Sequence, residues 1–126
     1  MGSAVLEGYS HPMLYVNNLG RAVQWYKEVL GFEERFVAPE AYASLFHPQL
    51  KMRLDLHPTE ANSKDVGFGS IQYFTTSNLD NSIAALKERG VKVGEPRTEG
   101  ESTRFVSFWD SEGNTLGLEQ ARMGHS

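Results

Sequence analysis

The hydrophobic pattern is clearest between Asn18 and Gly31. Apolar residues are spaced there as on one face of a helix, at Leu19, Ala22, Val23, Tyr26 and Leu30. Asn18 is a favourable N-cap, because its short side chain can accept a hydrogen bond from a free N–H group of the first turn. Gly31 can adopt the left-handed conformation that ends many helices. The sequence therefore predicts one amphipathic helix at 19–30, whose apolar stripe covers a sheet.

A second helix with the same layout follows later in the chain. An offset of 60 positions superposes Asn18 on Asn78 and Leu19 on Leu79, and Gly90 stands where the second helix ends. In both halves of the chain a strand pattern precedes the helix and further strand patterns follow it. This repeated order indicates an internal duplication of one structural module.

Runs of alternating, β-branched and aromatic residues, separated by turns, predict the strands around these helices. In the first half the strands lie at 11–16, 32–37, 42–46 and 51–57. In the second half a helix at 79–89 accompanies strands at 71–76, 91–93, 104–109 and 115–120, with a loop at 95–103. The predicted fold class is α+β, a single domain over 1–126 made of two βαβββ modules. Module one takes about 9–57, a polar linker 58–69 and module two 70–121.

Side-chain alternation separates two faces of each strand. In the strand at 51–57 the apolar residues point towards the helix, and Arg53, Asp55 and His57 point the other way. In the last strand Gly117 falls on this second face as well. We therefore expect a curled mixed sheet around a cleft, with the helices on the outer face and polar residues on the concave face.

Composition excludes several classes of function. The 126 residues include no cysteine, which rules out disulfides, thiolate zinc sites and a cysteine nucleophile. The formal net charge of −4, without a basic cluster, argues against nucleic acid as a partner. The chain has no run of apolar residues long enough to span a membrane. It also lacks a signal-peptide pattern, so we expect a cytoplasmic protein.

Two segments carry a resemblance to a known family: YVNNLGRAVQWYKEVLGFEERF at 15–36 and FVSFWDSEGNTLGLEQ at 105–120. With the internal repeat, they make the chain similar to the vicinal oxygen chelate superfamily. This superfamily includes glyoxalase I, extradiol dioxygenases and the bleomycin-resistance proteins. The resemblance implies two βαβββ modules around a cavity, a small-molecule ligand and a homodimer.

The resemblance also implies where a metal site would lie. The metal-dependent members use a set of His and Glu ligands, one from the first and one from the last strand of each module. The first position falls on His11 and the second on Asp55, which is one methylene shorter than the usual glutamate. The third falls on Ser70 or Ile71, depending on the register, and the fourth on Gly117. Half of the ligand set is therefore missing, as in the bleomycin-resistance branch.

Each candidate residue also has a structural interpretation. His11 is a metal ligand or base, or a hydrogen-bonded histidine at a strand start. Asp55 is a second ligand, or it forms an ion pair with its neighbours Arg53 or His57 on the same face. We expect the turn at 110–114 to satisfy only the backbone geometry of a hairpin.

Five residues are predicted to contact a ligand in the cleft: Arg53, His57, Gln72, Phe105 and Trp109. Phe105 and Trp109 face the cleft if the residues between them cover the helix, and they would then stack on a flat ligand. Gln72 sits on a central strand, and its face depends on the same register that decides between Ser70 and Ile71.

Two functions follow as the leading hypotheses. The first is a small-molecule binding protein that holds its ligand in the concave cleft, with no cofactor. The alternative is a divergent glyoxalase-like lyase or extradiol-type dioxygenase, in which His11 and Asp55 hold one divalent ion of Ni, Mn, Fe or Zn. A third possibility, a purely structural interaction module, predicts a filled trough with no pocket, and the polar inward positions argue against it.

Overall fold

The computed structural model describes residue 5 and residues 7–60, 64–67, 69–99 and 103–120. Its elements, in chain order, are β1 (Met13–Val16), α1 (Leu19–Leu30), β2 (Glu33–Ala38), β3 (Tyr42–His47), β4 (Met52–Pro58), β5 (Gln72–Thr76), α2 (Leu79–Glu88), β6 (Arg97–Glu99), β7 (Thr103–Trp109) and β8 (Thr115–Gln120). Parts of the predicted linker and second loop, at 61–63, 68 and 100–102, lie outside the described residues, as does residue 121 at the end of module two.

The strands form two separate four-stranded sheets, and neither sheet closes on itself. Sheet one has the order β1-β4-β3-β2 and sheet two the order β5-β8-β7-β6. In each sheet the first strand pairs parallel with the last strand of its module, and the other pairs are antiparallel. Each parallel pair requires a long connection between its strands, which the helix and the two following strands provide. The prediction of an α+β fold made of two βαβββ modules is confirmed.

Helix α1 has the predicted bounds because both of its ends are specified by side chains. The Asn18 side chain accepts a hydrogen bond from the Arg21 N–H at 3.0 Å. Gly31 has a φ of 83°, in the left-handed region, and donates its N–H to the carbonyl of Lys27. The buried stripe ends on Val29, and Leu30 is only partly buried.

The edge of sheet two differs from the prediction. The strand predicted at 91–93 is wrong, because Val93 forms only an isolated bridge with β7. The edge strand β6 begins instead at Arg97, inside the predicted loop. Gly94 still donates its N–H to the carbonyl of Ser107 at 2.8 Å, but Pro96 has no N–H to donate, so the pairing with β7 is interrupted before Arg97.

Strand ends differ from the prediction by one or two residues. β1 begins at Met13 rather than at His11, because Pro12 has no N–H for the ladder. The carbonyl of Pro12 still accepts a hydrogen bond from the Asp55 N–H at 3.1 Å.

Among the described residues, no helix is long and apolar enough to cross a membrane.

The turn between β7 and β8, in module two, makes side-chain contacts with module one. Its residues Asp110, Glu112 and Asn114, which we call the clasp, are buried. Glu112 reaches the start of α1, where its Oε1 accepts hydrogen bonds from the backbone N–H groups of Asn17 and Asn18 at 3.0 and 2.9 Å. A carboxylate at a helix N-terminus satisfies free N–H groups and complements the helix dipole.

Arg21 completes the contact with Glu112. Its Nε donates to Oε2 of Glu112 at 2.7 Å and its Nη2 to Oε1 at 3.0 Å, so the ion pair is bidentate. The Glu112 side chain is fully buried, whereas that of Arg21 is 56% exposed. The expectation that this turn serves only backbone geometry is therefore incomplete, because its side chains hold module two against α1.

Asp110 and Asn114 form the rest of the clasp. The Tyr26 hydroxyl donates to Asp110 Oδ2 at 2.8 Å, and Asn114 Nδ2 donates to the carbonyl of Tyr15 at 3.0 Å. Burial raises the pKa of Tyr26 well above its ordinary value, and the charge of Asp110 adds to the rise. Tyr26 therefore stays protonated and keeps its role as a donor. The two modules are joined through buried polar contacts as well as through the shared apolar core.

The clasp predicts a component of stability that is lost in acid. Burial alone would raise the pKa of Glu112, but hydrogen bonds from Arg21, Asn18 and Ser111, with the charge of Arg21, hold it below its ordinary value. The stabilisation is therefore fully present above the unfolded-state pKa of about 4.3 and is lost as the pH falls through the lower folded-state value.

We expect the unfolding free energy of the wild type to decrease below about pH 4 more steeply than that of Glu112→Gln. Urea titrations at a series of pH values would measure both slopes. Parallel pH profiles for the two proteins would contradict this role of Glu112.

Candidate functional site

The face of sheet one that lies opposite α1 gathers the candidate residues of module one. In the parallel pair of β1 and β4, Met13 lies beside Asp55 and Tyr15 beside His57. Neighbouring residues in register point to the same face of a sheet. Leu54 and Leu56, which alternate with these residues on β4, are fully buried in the core. The observed strand register thus agrees with the predicted division of β4 into a core face and a concave face.

Asp55 is the centre of this face, and it is fully buried. Arg53 donates to both of its oxygens, from Nε to Oδ1 at 2.9 Å and from Nη2 to Oδ2 at 2.7 Å. His11 Nε2 lies 3.1 Å from Oδ2. The structure therefore brings His11, Arg53 and Asp55 together as one ion-pair cluster. A buried carboxylate requires such partners, because it has lost its hydration.

Burial and the neighbouring charges have opposite effects on the pKa of Asp55. Burial raises the pKa of the Asp55 carboxyl, and the charges of His11 and Arg35 counteract part of that rise. The two donors of Arg53 bind the ionised form, which they stabilise. Both oxygens of Asp55 are thus engaged by Arg53.

Arg35 is a residue of this face that the sequence reasoning missed. The register between β2 and β3 shifts at Arg35, which forms a β-bulge. The bulge brings the guanidinium to buried Ser44, whose Oγ accepts from Nη1 at 2.6 Å. A bulge changes the direction in which a side chain points, and the pattern of polar and apolar residues does not show where a bulge occurs. The sequence therefore did not predict that Arg35 lies on this face.

His57 lies at the exposed end of this face, within a group of aromatic rings. Its ring meets those of Tyr15 and Tyr42 edge to face, with centroid distances of 5.8 and 6.1 Å. Its Nδ1 is 2.8 Å from the carbonyl of Pro58. The structure thus places His57 on the same face as Arg53, next to a surface of aromatic rings.

On sheet two, the register answers the question left open for β5. Tyr73 pairs with Gly117, and Gln72 pairs with the buried Leu116. Tyr73 therefore lies on the concave face, and Gln72 points to the opposite side of the strand. By the same alternation Ile71, not Ser70, shares the face of Tyr73.

Phe105 and Trp109 both lie on the concave face of β7, because Val106 and Phe108 between them are buried in the core. The two rings are partly covered by cations. Arg97 lies over Phe105 at 5.5 Å, and the Nζ of Lys92 lies 5.1 Å from the centroid of Trp109. These contacts leave the two rings only partly exposed.

The donor set does not fit a metal centre of the kind that the family resemblance implies. The structure places His11 beside Asp55, but both oxygens of Asp55 accept hydrogen bonds from Arg53. The other two positions carry Ile71 and Gly117, which offer no ligand side chain. Over the ranges that the structure describes, no three His, Cys, Asp or Glu side chains are grouped so that they could hold an ion.

The ring of Tyr73 occupies the space above Gly117. A Cβ atom added at Gly117 would lie 2.5 to 2.8 Å from three atoms of that ring, which is too close for van der Waals contact. Tyr73 is 48% exposed, so its ring has room to move towards solvent, but it then leaves its place above Gly117. A side chain at 117 and the observed Tyr73 rotamer thus exclude each other.

We expect Gly117→Ala to lower the free energy of unfolding by about 1–2 kcal/mol, because it forces the Tyr73 ring out of its place. Chemical denaturation of this variant and of the double variant Gly117→Ala with Tyr73→Ala would measure the effect. The alanine should cost less when Tyr73 has been shortened. Equal costs in the two backgrounds would disprove the steric explanation.

The fold and the site define a class of protein: two βαβββ modules with outer helices and an open concave face of charged and aromatic residues. The chain belongs to the Glyoxalase/Bleomycin resistance protein/Dioxygenase superfamily, whose family model matches residues 8–118. The resemblance seen in the sequence is thereby confirmed.

Several solved structures share the fold over most of their length. A superfamily member from Sphaerobacter thermophilus is 25% identical, with a TM-score of 0.76 over 91% of this chain and 98% of that one. TnmS3, an antibiotic binding protein from Streptomyces, is 22% identical, with a TM-score of 0.71 over 95% and 100%. The fosfomycin resistance protein FosX from Listeria monocytogenes, complexed with Mn(II) and a dihydroxypropylphosphonic acid, is 16% identical, with a TM-score of 0.76 over 94% of each chain.

Proposed function

We propose that this protein binds a small organic molecule against the concave faces of its two sheets, and that it does so without a catalytic metal ion. The observation that carries the proposal is the pairing of Asp55 with Arg53. The carboxylate at the family's metal position is neutralised by a guanidinium that donates to both oxygens. Such a carboxylate contributes to an ion-pair network and has little capacity left for a metal.

The exposed apolar residues of the concave faces support the binding part of the proposal. Phe36 is 59% exposed and Tyr73 is 48% exposed, although both are large hydrophobic residues. Exposed apolar patches with a polar rim are typical of ligand and protein contact sites. Aromatic side chains near Arg35, whose hydrogen-bond partner Ser44 is uncharged, suit a flat ligand that carries a negative charge.

The same surfaces support the expected homodimer. Met13 of β1 and Ile71, the residue before β5, add to this apolar surface with 39% and 44% exposure. A second copy would cover part of it and deepen the ligand cleft. Analytical ultracentrifugation would test the dimer, and cell fractionation would test the expected cytoplasmic location.

The testing experiment is a thermal-shift screen of aromatic acids and antibiotics on protein treated with EDTA. We expect a stabilising compound in the absence of metal. Tyr73→Ala and Arg35→Gln should weaken its binding, whereas Arg104→Gln should not, because Arg104 pairs with Asp80 of α2 instead. A compound that binds only after Mn²⁺, Ni²⁺, Fe²⁺ or Zn²⁺ is added would refute the metal-free part of the proposal.

One contact supports the alternative of a metal-dependent lyase or dioxygenase. His11 Nε2 and Asp55 Oδ2 are 3.1 Å apart, so the two side chains that would bind an ion are already adjacent. Binding would require Arg53 to release the carboxylate. Metal analysis of the purified wild type and of His11→Ala distinguishes the alternatives, since stoichiometric metal that the substitution removes would favour the enzyme.

A further inference from the structure

A cavity lies on the helix side of the two sheets, away from their concave faces. Its volume is about 270 Å³, and it lies between α2 and the end of α1. Apolar side chains from both modules line most of it, among them Phe32 of module one and Phe74, Phe108 and Leu118 of module two. A cavity of this size and lining can take a small apolar molecule.

The polar side chains of this cavity differ in what they have left to offer a ligand. His47 uses both ring nitrogens: Nε2 is 2.9 Å from the carbonyl of Leu30, and Nδ1 accepts from the Leu50 N–H at 3.2 Å. The hydroxyl of Ser82 pairs with that of Thr76 at 2.7 Å. Neither His47 nor Ser82 is therefore ready to orient a charged group.

Arg89 is the exception. One of its nitrogens, Nη1, donates to the carbonyl of Val29 at 2.6 Å. A guanidinium has five N–H donors, so most of its capacity remains. Among the described residues, no carboxylate forms an ion pair with Arg89. The cavity thus combines an apolar interior with one positive charge that none of the described carboxylates pairs with.

The geometry points to a second ligand site at this cavity, for a small carboxylic acid with an apolar body. The apolar body fills the space between the three phenylalanine rings, and the carboxylate binds the free donors of Arg89. Charge complementarity selects an anion over an alcohol or an amine, because an Arg–carboxylate pair is stronger than a neutral hydrogen bond. This inference does not depend on the proposed function of the concave faces.

Occupation of the cavity would tie the two modules together. Leu30, Phe32 and His47 come from module one, whereas Leu86 and Arg89 come from module two. A ligand that contacts both sides binds only the assembled molecule, so it stabilises that state. The binding therefore has a thermal readout that needs no enzymatic activity.

Octanoate is a suitable probe, with octanol and octylamine as matched compounds of the same chain length. Calorimetry and thermal shift should detect octanoate binding, with octanol weaker and octylamine weaker still. Arg89→Gln should weaken octanoate about tenfold and leave octanol nearly unchanged. Arg97→Gln, on the concave side, is the control and should leave octanoate binding unchanged.

Two further variants keep the test decisive, since Arg89 also supports the end of α1 through Val29. Ala85→Phe should fill the cavity, and Leu50→Trp should narrow its mouth, because Leu50 is 46% exposed on the turn after β3. Both should reduce octanoate binding in a protein whose circular dichroism is unchanged. Octanoate binding that survives both variants, or octanol binding as tightly as octanoate, would overturn the inference.

Discussion

Replacement of Glu112 by alanine should lower the free energy of unfolding by about 3 kcal/mol. The variant removes a fully buried carboxylate and leaves the N–H groups of Asn17 and Asn18 without their partner. It also ends the two-pronged contact with Arg21, although Arg21 can return to water. Urea denaturation followed by circular dichroism would measure the loss.

The matched control for this variant is Glu34→Ala. Glu34 also pairs with a cation of α1, since Lys27 Nζ lies 2.7 Å from its carboxylate. Both of these side chains are substantially exposed, so the control should change stability by about 0.5 kcal/mol or less. If the two glutamates contributed equally, the clasp would not be a principal contact between the modules.

The second large effect concerns the ion pair of the concave face. Arg53→Met should destabilise the protein by about 3 kcal/mol, because Asp55 remains buried with His11 as its principal partner. Asp55→Leu in the same background should recover part of this loss, since no unpaired charge is then buried. The coupling energy from a double-mutant cycle of thermal or urea unfolding would measure the pair.

Arg104→Met provides the comparison for Arg53→Met. The side chains of Arg104 and Arg53 are similarly exposed, at 34% and 31%, but the partner of Arg104 is Asp80, which is 73% exposed. We expect little effect from this control. If Arg53→Met were as mild as the control, and if it also bound Mn²⁺ more strongly than the wild type, Asp55 would have to be reinterpreted as a metal ligand.

The parts of the fold that could be predicted are those with local signals. The bounds of α1 follow from Asn18 and Gly31, which act within one turn of the helix ends. The position of β6 depends instead on where the neighbouring strand offers free backbone groups. Local β propensity favoured Val91 and Val93, whereas the pairing with β7 resumes only after Pro96, so the sequence did not predict the actual strand.

The candidate site divides in the same way. Alternation along β4 predicted the face of Arg53 and Asp55, and the structure adds their contact with His11, which no spacing in the sequence encodes. Arg35 reaches the concave face because of a bulge in β2. Tyr73, and not Gln72, lies on that face because of the register between β5 and β8. Both are properties of strand register, which is set between strands and not within one.

The clasp was underestimated because turn residues that face solvent and turn residues that face another module look alike in a sequence. Asp, Glu and Asn are common in hairpin turns for local reasons. Only the packing of module two against α1 buries Glu112 and Asn114 and gives them partners about one hundred positions away. A pattern with local range does not contain that information.

The position of the clasp near the end of the described chain has a consequence for biosynthesis. All strands of sheet one are complete at Pro58, so this sheet can form while the ribosome is still producing module two. Sheet two has to wait, because β8 lies between β5 and β7 and is the last of its four strands to be made. The same short stretch of nascent chain, from Asp110 to Gln120, therefore completes the second sheet and fastens it to a first sheet that has already formed.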